Sequence, residues 1–167
     1  MDVARGIHMW RREFGAGTNW TLWAYYDAND QLTWPKNDYP KETRQYDAQG
    51  NQTERALFGT HDEPVMDLSH GYHRVSTTYD ERGNWTREVY LGTNGLPVLV
   101  KGCYAAISAQ WDDRSNQTEF AYWGVNGEPV RGPDNFHRRV IEYGADGKIL
   151  AQKYYDAQGK ELNQPSP

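Results

Sequence analysis

The sequence predicts an all-β fold: an array of five antiparallel β-hairpin repeats of about 32 residues each, curved or solenoid-like, forming one domain. Three observations carry that reading. First, landmarks recur through the whole chain in one phase. An aromatic stands at Phe14, Tyr46, Tyr79, Trp111 and Tyr143, and a second column at Tyr26, Phe58, Leu91, Trp123 and Tyr155 follows each of these by 12 residues. Second, the apolar stock suits sheet better than helix. Phe, Trp and Tyr number 23 against 22 Val, Ile and Leu, and no window shows the i, i+3, i+4, i+7 stripe of an amphipathic helix. Third, turn signals recur at fixed places. Asp47 to Asn51, Asp80 to Asn84 and Asp112 to Asn116 each offer an Asp to accept turn amides, and the first two place a Gly where the backbone needs positive φ.

The units fall at approximately 6–37, 38–70, 71–101, 102–134 and 135–167. Each begins at an opening column of Ile7, Tyr39, Tyr72, Tyr104 and Phe136 and runs as a strand into the first ring column. It then turns and returns along a Thr- and aromatic-rich strand such as 84–91. A second turn, Gly92 to Gly95 or Gly124 to Gly127, leads to an exit pair that reads as a short third piece. The exit pairs are Leu32-Thr33, Pro64-Val65, Pro97-Val98, Pro129-Val130 and Glu161-Leu162. Repeat spacings are 32, 33, 32 and 32, and the extra residue lies between Pro64 and Tyr72, in a loop able to absorb an insertion. A lone hairpin is marginal in water, so the units must stack; the two ring columns are the expected core, each ring against its equivalent one unit away. The column Ala24, Ala56, Val89, Ala121 ends in Lys153, and Thr21, Thr53, Thr86, Thr118 ends in Leu150, so the last unit is expected to act as a cap. Met1 to His8 matches the internal linker Met66 to His73 in register. The chain is therefore expected to be a segment of a longer array, forming a homo-oligomer through its tryptophan-rich first unit.

The phrase Tyr46-Asp47-Ala48-Gln49-Gly50-Asn51, repeated as Tyr79-Asp80-Glu81-Arg82-Gly83-Asn84, resembles the signature of the YD repeats of bacterial RHS and related surface proteins. The likeness spans the chain as a pattern, with departures at Trp111-Asp112, at Ser115 in place of glycine and at Tyr143-Gly144. A fainter likeness, through Ala24-Tyr25-Tyr26-Asp27 and Lys153-Tyr154-Tyr155-Asp156, is to the aromatic hairpin repeats of choline-binding and glucan-binding modules. Either resemblance implies an all-β hairpin array that binds, encloses or spaces something, extracellular or at the cell surface, with no catalytic residue to carry over.

Several function classes are disfavoured by the composition. A net charge of -5 with no basic run argues against nucleic acid. The longest apolar run, Leu96 to Val100, is five residues, so no membrane insertion is expected. The single Cys103 forms no internal disulfide or zinc set and is expected to be a small buried thiol. The Asp-rich turns lack the spacing of a calcium loop, and Gly15-Ala16-Gly17 opens a strand where a phosphate loop needs a helix. No cofactor is expected. Every motif recurs in several copies whereas an active site is a single asymmetric constellation, which argues against an enzyme.

The tryptophans are the best functional clue. Trp111 and Trp123 fall in the ring columns, but Trp10, Trp20, Trp23, Trp34 and Trp85 do not, and four of those five belong to the first unit. Half-exposed indoles suit stacking on sugar rings or on cationic and aromatic ligands. The competing expectation is an N-terminal cap in which these rings are buried. His8, His73 and His137 share one column, interrupted by Pro40 and Ala105. The plain reading of that column is a half-exposed strand position, and His73 joins the candidate ligand-binding set. The expected function is a non-enzymatic binding or spacer module of a bacterial surface or secreted protein, taking a glycan or a protein or peptide ligand. The alternative is a self-associating structural or accessory subunit of a toxin or effector system, acting through exposed strand edges.

Overall fold

The Thr- and aromatic-rich stretches between the Asp turns form strands throughout the computed structural model, which describes residues 7–15, 17–36 and 38–163. In chain order these are β1 (Met9–Phe14), β2 (Trp20–Tyr26), β3 (Lys41–Tyr46), β4 (Gln52–Phe58), β5 (Arg74–Tyr79) and β6 (Trp85–Leu91). They continue as β7 (Ala106–Trp111), β8 (Gln117–Trp123), β9 (Arg138–Tyr143), β10 (Ile149–Tyr155) and β11 (Glu161–Leu162). All eleven lie in one antiparallel sheet in sequence order. Each strand touches only its sequence neighbours, so the sheet stays open and does not close into a barrel. Among the described residues no helix is long and apolar enough to cross a membrane. Met1 to Gly6, which carry most of the match to the Met66 linker, lie outside the described residues.

The five expected hairpins are β1–β2, β3–β4, β5–β6, β7–β8 and β9–β10, and β11 is the last exit pair. The other exit pairs form the same element in miniature. Thr33, Val65, Val98 and Val130 donate their amides to the carbonyls of Tyr25, Leu57, Tyr90 and Tyr122. The connection then turns back. The Asp67 amide donates to the Tyr72 carbonyl, Val100 to Tyr104 and Gly132 to Phe136, so the first of these turns is one residue longer. The extra residue therefore sits where the spacing put it, and Asp67 stabilises the longer turn by accepting from the amides of Ser69 and His70. Cys103 lies on the shorter turn, partly exposed with Sγ 3.3 Å from the Lys101 carbonyl, and is not a core thiol.

At the tips of the β3–β4, β5–β6 and β7–β8 hairpins an Asp organises the loop. Asp47 Oδ1 accepts from the amides of Gln49 and Asn51 while Oδ2 accepts from the Asn51 side chain, and Asp80 and Asp112 repeat the arrangement. The asparagine side-chain bond, helped by the amides, holds all three carboxyls below the usual carboxylate range. Gly50 and Gly83 have φ of 90° and 83°, and Ser115 is held at 60° in the same place. A left-handed conformation costs a residue with a Cβ about 1–2 kcal/mol, so Ser115→Gly is expected to stabilise the protein by about 0.5–1 kcal/mol, the remainder being offset by the freer unfolded chain. Denaturant titration checks this, and a loss of stability would show that Ser115 is not strained.

One irregularity recurs in every hairpin. The pairing skips Thr21, Thr53, Thr86, Thr118 and Leu150, so the threonine column is a column of β-bulges. The carbonyl just before each bulged threonine accepts from the first ring column of the next unit. Tyr46 Oη donates to Trp20 at 3.0 Å, Tyr79 Oη to Gln52 at 2.9 Å, Trp111 Nε1 to Trp85 at 2.6 Å and Tyr143 Oη to Gln117 at 3.2 Å. These rings thus staple neighbouring units by hydrogen bonds, and the expectation that each stacks on its own equivalent is corrected. Tyr79→Phe is expected to cost about 1 kcal/mol in a thermal or urea melt, the net worth of one such bond; an unchanged melt would remove the staple from the account.

The two ring columns do not share a face. Tyr79 lies opposite Trp85 and on the face of the Val75–Tyr90 pair, whereas Leu91 lies opposite Arg74 on the other face. Twelve residues is an even separation, but the bulge and the turn between the strands break simple alternation, and one inserted residue reverses which way a side chain points. The buried ladder instead alternates the opening column with the position just before the second ring column. Tyr72, Tyr90, Tyr104, Tyr122, Phe136 and Tyr154 follow one another with centroid separations of 5.2, 5.7, 5.0, 5.6 and 5.2 Å. Each such pair contributes about 0.5–1.5 kcal/mol beyond its burial. Val75, Val100 and Ile107 pack around the Tyr72, Tyr90 and Tyr104 rings. The connection before β9 closes on the same ladder, so tightly that a Cβ at Gly132 would enter the Tyr122 ring. On the opposite face Ala24, Ala56 and Ala121 are buried opposite Lys41, Arg74 and Arg138, which explains the small column.

Candidate functional site

In the first hairpin, alternation places Trp10, Arg12 and Phe14 of β1 on one face with Trp20, Trp23 and Tyr25 of β2, since directly opposed residues share a face. Three of the indoles meet. Trp10 lies flat on Trp23 with centroids 5.0 Å apart and planes 2° from parallel, and Trp20 meets Trp23 edge-on at 6.2 Å. Tyr25 packs edge-on against Trp23 from the other side at 5.9 Å. The Arg12 guanidinium sits 4.4 Å above the Trp23 ring, and that of Arg44 lies 3.9 Å above Trp20. Trp10 is 57% exposed, so the stack presents a large aromatic surface to solvent. Burial together with its hydroxyl bond to Asp38 Oδ2 pushes the Tyr25 phenol up from its ordinary pKa.

The remaining candidates are dispersed. Trp34 is half-exposed and meets Tyr39 edge-on, with no stacking on the other candidate indoles. Trp85 lies two hairpins along the same face, edge-on to Trp111 and Phe120. His73 is buried: its ring packs edge-on against Phe58 and its Nδ1 faces the Val65 carbonyl at 3.3 Å. His137 repeats this against Trp123 and the Tyr122 carbonyl, whereas His8 is exposed. A carbonyl can only accept, so Nδ1 carries the proton in both buried rings. The half-exposed position expected for this column is therefore a packing slot in two of its three histidines, because these rings pack on Phe58 and Trp123 of the second ring column. Among the described residues no three His, Cys, Asp or Glu side chains converge on a metal-sized site.

A charged step separates the indole stack from the tyrosine ladder. Glu42, 8% exposed, accepts from Arg44 Nε at 2.8 Å and Arg55 Nη2 at 2.7 Å, and Arg55 reaches on to the Tyr72 hydroxyl. The face thus carries a nearly continuous path of rings and guanidiniums from Trp10 to Tyr154. Near its far end lies a groove of about 530 Å³ bordered by Trp85, Phe120, Tyr122, Asp134 and Arg139. Arg12, Tyr25 and Arg139 were not among the sequence candidates. Trp10-x-Arg12-x-Phe14 and Trp23-x-Tyr25 show the two-residue period that assigns the first two to this face. Comparison with protein-family models and with curated proteins gave no match for this chain.

Proposed function

We propose that the chain is a non-enzymatic β-repeat binding module of a bacterial surface or secreted protein, and that it takes a glycan or an extended peptide on the indole stack of its first hairpin. The observation that carries this reading is the exposed Trp10–Trp23 stack, braced by Trp20, Tyr25 and Arg12 on one sheet face. A stack already assembled loses little side-chain entropy on binding, and flat π faces attract sugar C–H bonds and cationic side chains alike. The resemblance to YD repeats and to glucan-binding hairpins points the same way. The test is a tryptophan-fluorescence titration against neutral glycans and peptides. Trp10→Ala and Trp20→Ala are each expected to weaken a fluorescence-detected ligand at least tenfold while far-UV circular dichroism stays unchanged. A ligand bound as tightly by both variants would remove the stack from the site.

A second reading has its own support in β1. All six of its residues are exposed and its outer edge has no partner strand among the described residues, so a second chain could add there. Self-association that strengthens with protein concentration, measured by sedimentation, favours it; a constant monomer mass rejects it.

A further inference from the structure

The groove at the other end of the face is a second and chemically different site. The sheet position of Trp10 recurs once per unit as Glu42, Val75, Ile107 and Arg139. Val75 is buried and Ile107 packs into the same cluster. Glu42 is buried as well, and two arginines neutralise it. Arg139 fills this position in the last hairpin, half-buried, yet no carboxylate lies within ion-pairing range of it among the described residues. Its one side-chain hydrogen bond there runs from Nη2 to the neutral Oε1 of Gln117 at 2.8 Å, and its buried Nε has no partner. Burying a cation without a counter-charge is costly, so a guanidinium at a core position calls for an anion from outside the chain.

The groove around Arg139 defines what that anion is attached to. Trp85, Phe120, Tyr122, Phe136 and Tyr154 supply aromatic walls, and the volume of about 530 Å³ falls in the range of small-molecule sites. Asp134 stands at the rim, its Oδ2 accepting from the Tyr122 hydroxyl at 2.6 Å. A carboxylate there accepts from hydroxyl donors and repels a multiply charged phosphate. One cation, several ring faces and one acceptor together match a singly charged, hydroxylated ring.

We propose that this groove binds a hexuronate unit of an acidic glycan, with the carboxylate on Arg139, the pyranose ring against the aromatic walls and a hydroxyl donating to Asp134. The site is independent of the indole stack. Its test is titration calorimetry of the full chain with trigalacturonate, with the methyl ester of trigalacturonate and with phenylacetate. Trigalacturonate is expected to bind, and the uncharged ester at least tenfold more weakly. Arg139→Met is expected to cost at least tenfold in trigalacturonate affinity with the circular dichroism retained, since Val75 and Ile107 show that the position accepts an aliphatic side chain. Arg139→Lys should fall between, keeping the charge and losing the planar fork. Trp10→Ala should leave uronate affinity unchanged, which separates this site from the first-hairpin stack. Equal binding of the ester, no binding of trigalacturonate, full affinity in Arg139→Met, tighter binding of phenylacetate, or a loss in Trp10→Ala as large as in Arg139→Met would each overturn the proposal.

Discussion

Tyr90→Ala is expected to cost about 3–5 kcal/mol, the usual loss for a fully packed core ring. Tyr90 is 9% exposed, sits between Tyr72 and Tyr104 in the ladder, packs with Val75 and Val100, and donates its hydroxyl to Glu88. Truncation removes two ring contacts and leaves a void that a single-layer sheet closes only by moving a connection. Tyr79→Ala should cost less, since that ring is half-buried and its main tie is one hydrogen bond to the Gln52 carbonyl. Urea titration of the two variants side by side is the check. A larger loss for Tyr79→Ala would place the core in the first ring column and overturn the assignment of faces.

The same ladder should make the protein unfold in alkali. Burial raises the phenol pKa of Tyr72, Tyr90, Tyr104 and Tyr122, and in Tyr90 and Tyr122 the hydroxyl bond to a carboxylate, from Glu88 and Asp134, raises it further. An unfolded tyrosine titrates near pH 10, so above that pH the unfolded chain binds fewer protons than the folded one and stability falls as pH rises. Below about pH 10 the contribution is fully present. Above it, each of the two well-buried phenols, Tyr90 and Tyr122, removes up to about 1.4 kcal/mol per pH unit until its own folded pKa is reached. Chemical denaturation at a series of pH values from 9 to 12 is expected to show a steepening loss, relieved in Tyr122→Phe, which has no proton to release. A flat profile across that range would mean that these phenols are not held neutral by the fold.

Much of the candidate site was legible, and the reasons why the rest was not are specific. The choice of Trp10, Trp20 and Trp23 needed only that these rings fall outside the ring columns, and the structure brings the three together. Trp34 and Trp85 met the same criterion and lie elsewhere, because Trp34 falls beyond β2, in the connection that packs on Tyr39, and Trp85 belongs to the third hairpin. Arg139 was visible as a charge in a column that also holds Val75 and Ile107, but it is informative only once that column is known to face the ladder. The threonine column was legible as a column and not as a bulge. A bulge is defined by what lies across the ladder, and Thr86 reveals itself only when Tyr79 pairs with Trp85 and Thr78 with Arg87.

By itself the sequence determined the all-β hairpin array, the number of units, the turn chemistry and the place of the extra residue. These are local properties: Asp47 and Asn51 close their own turn, a two-residue period makes a strand, and a repeat in sequence dictates a repeat in structure. Only the tertiary structure decided which face is the core, that Tyr46, Tyr79, Trp111 and Tyr143 staple units by hydrogen bonds instead of stacking, and that Arg139 stands over a groove without a counter-ion among the described residues. Each of these depends on register across strands, and one bulged residue per hairpin reverses which face a side chain joins.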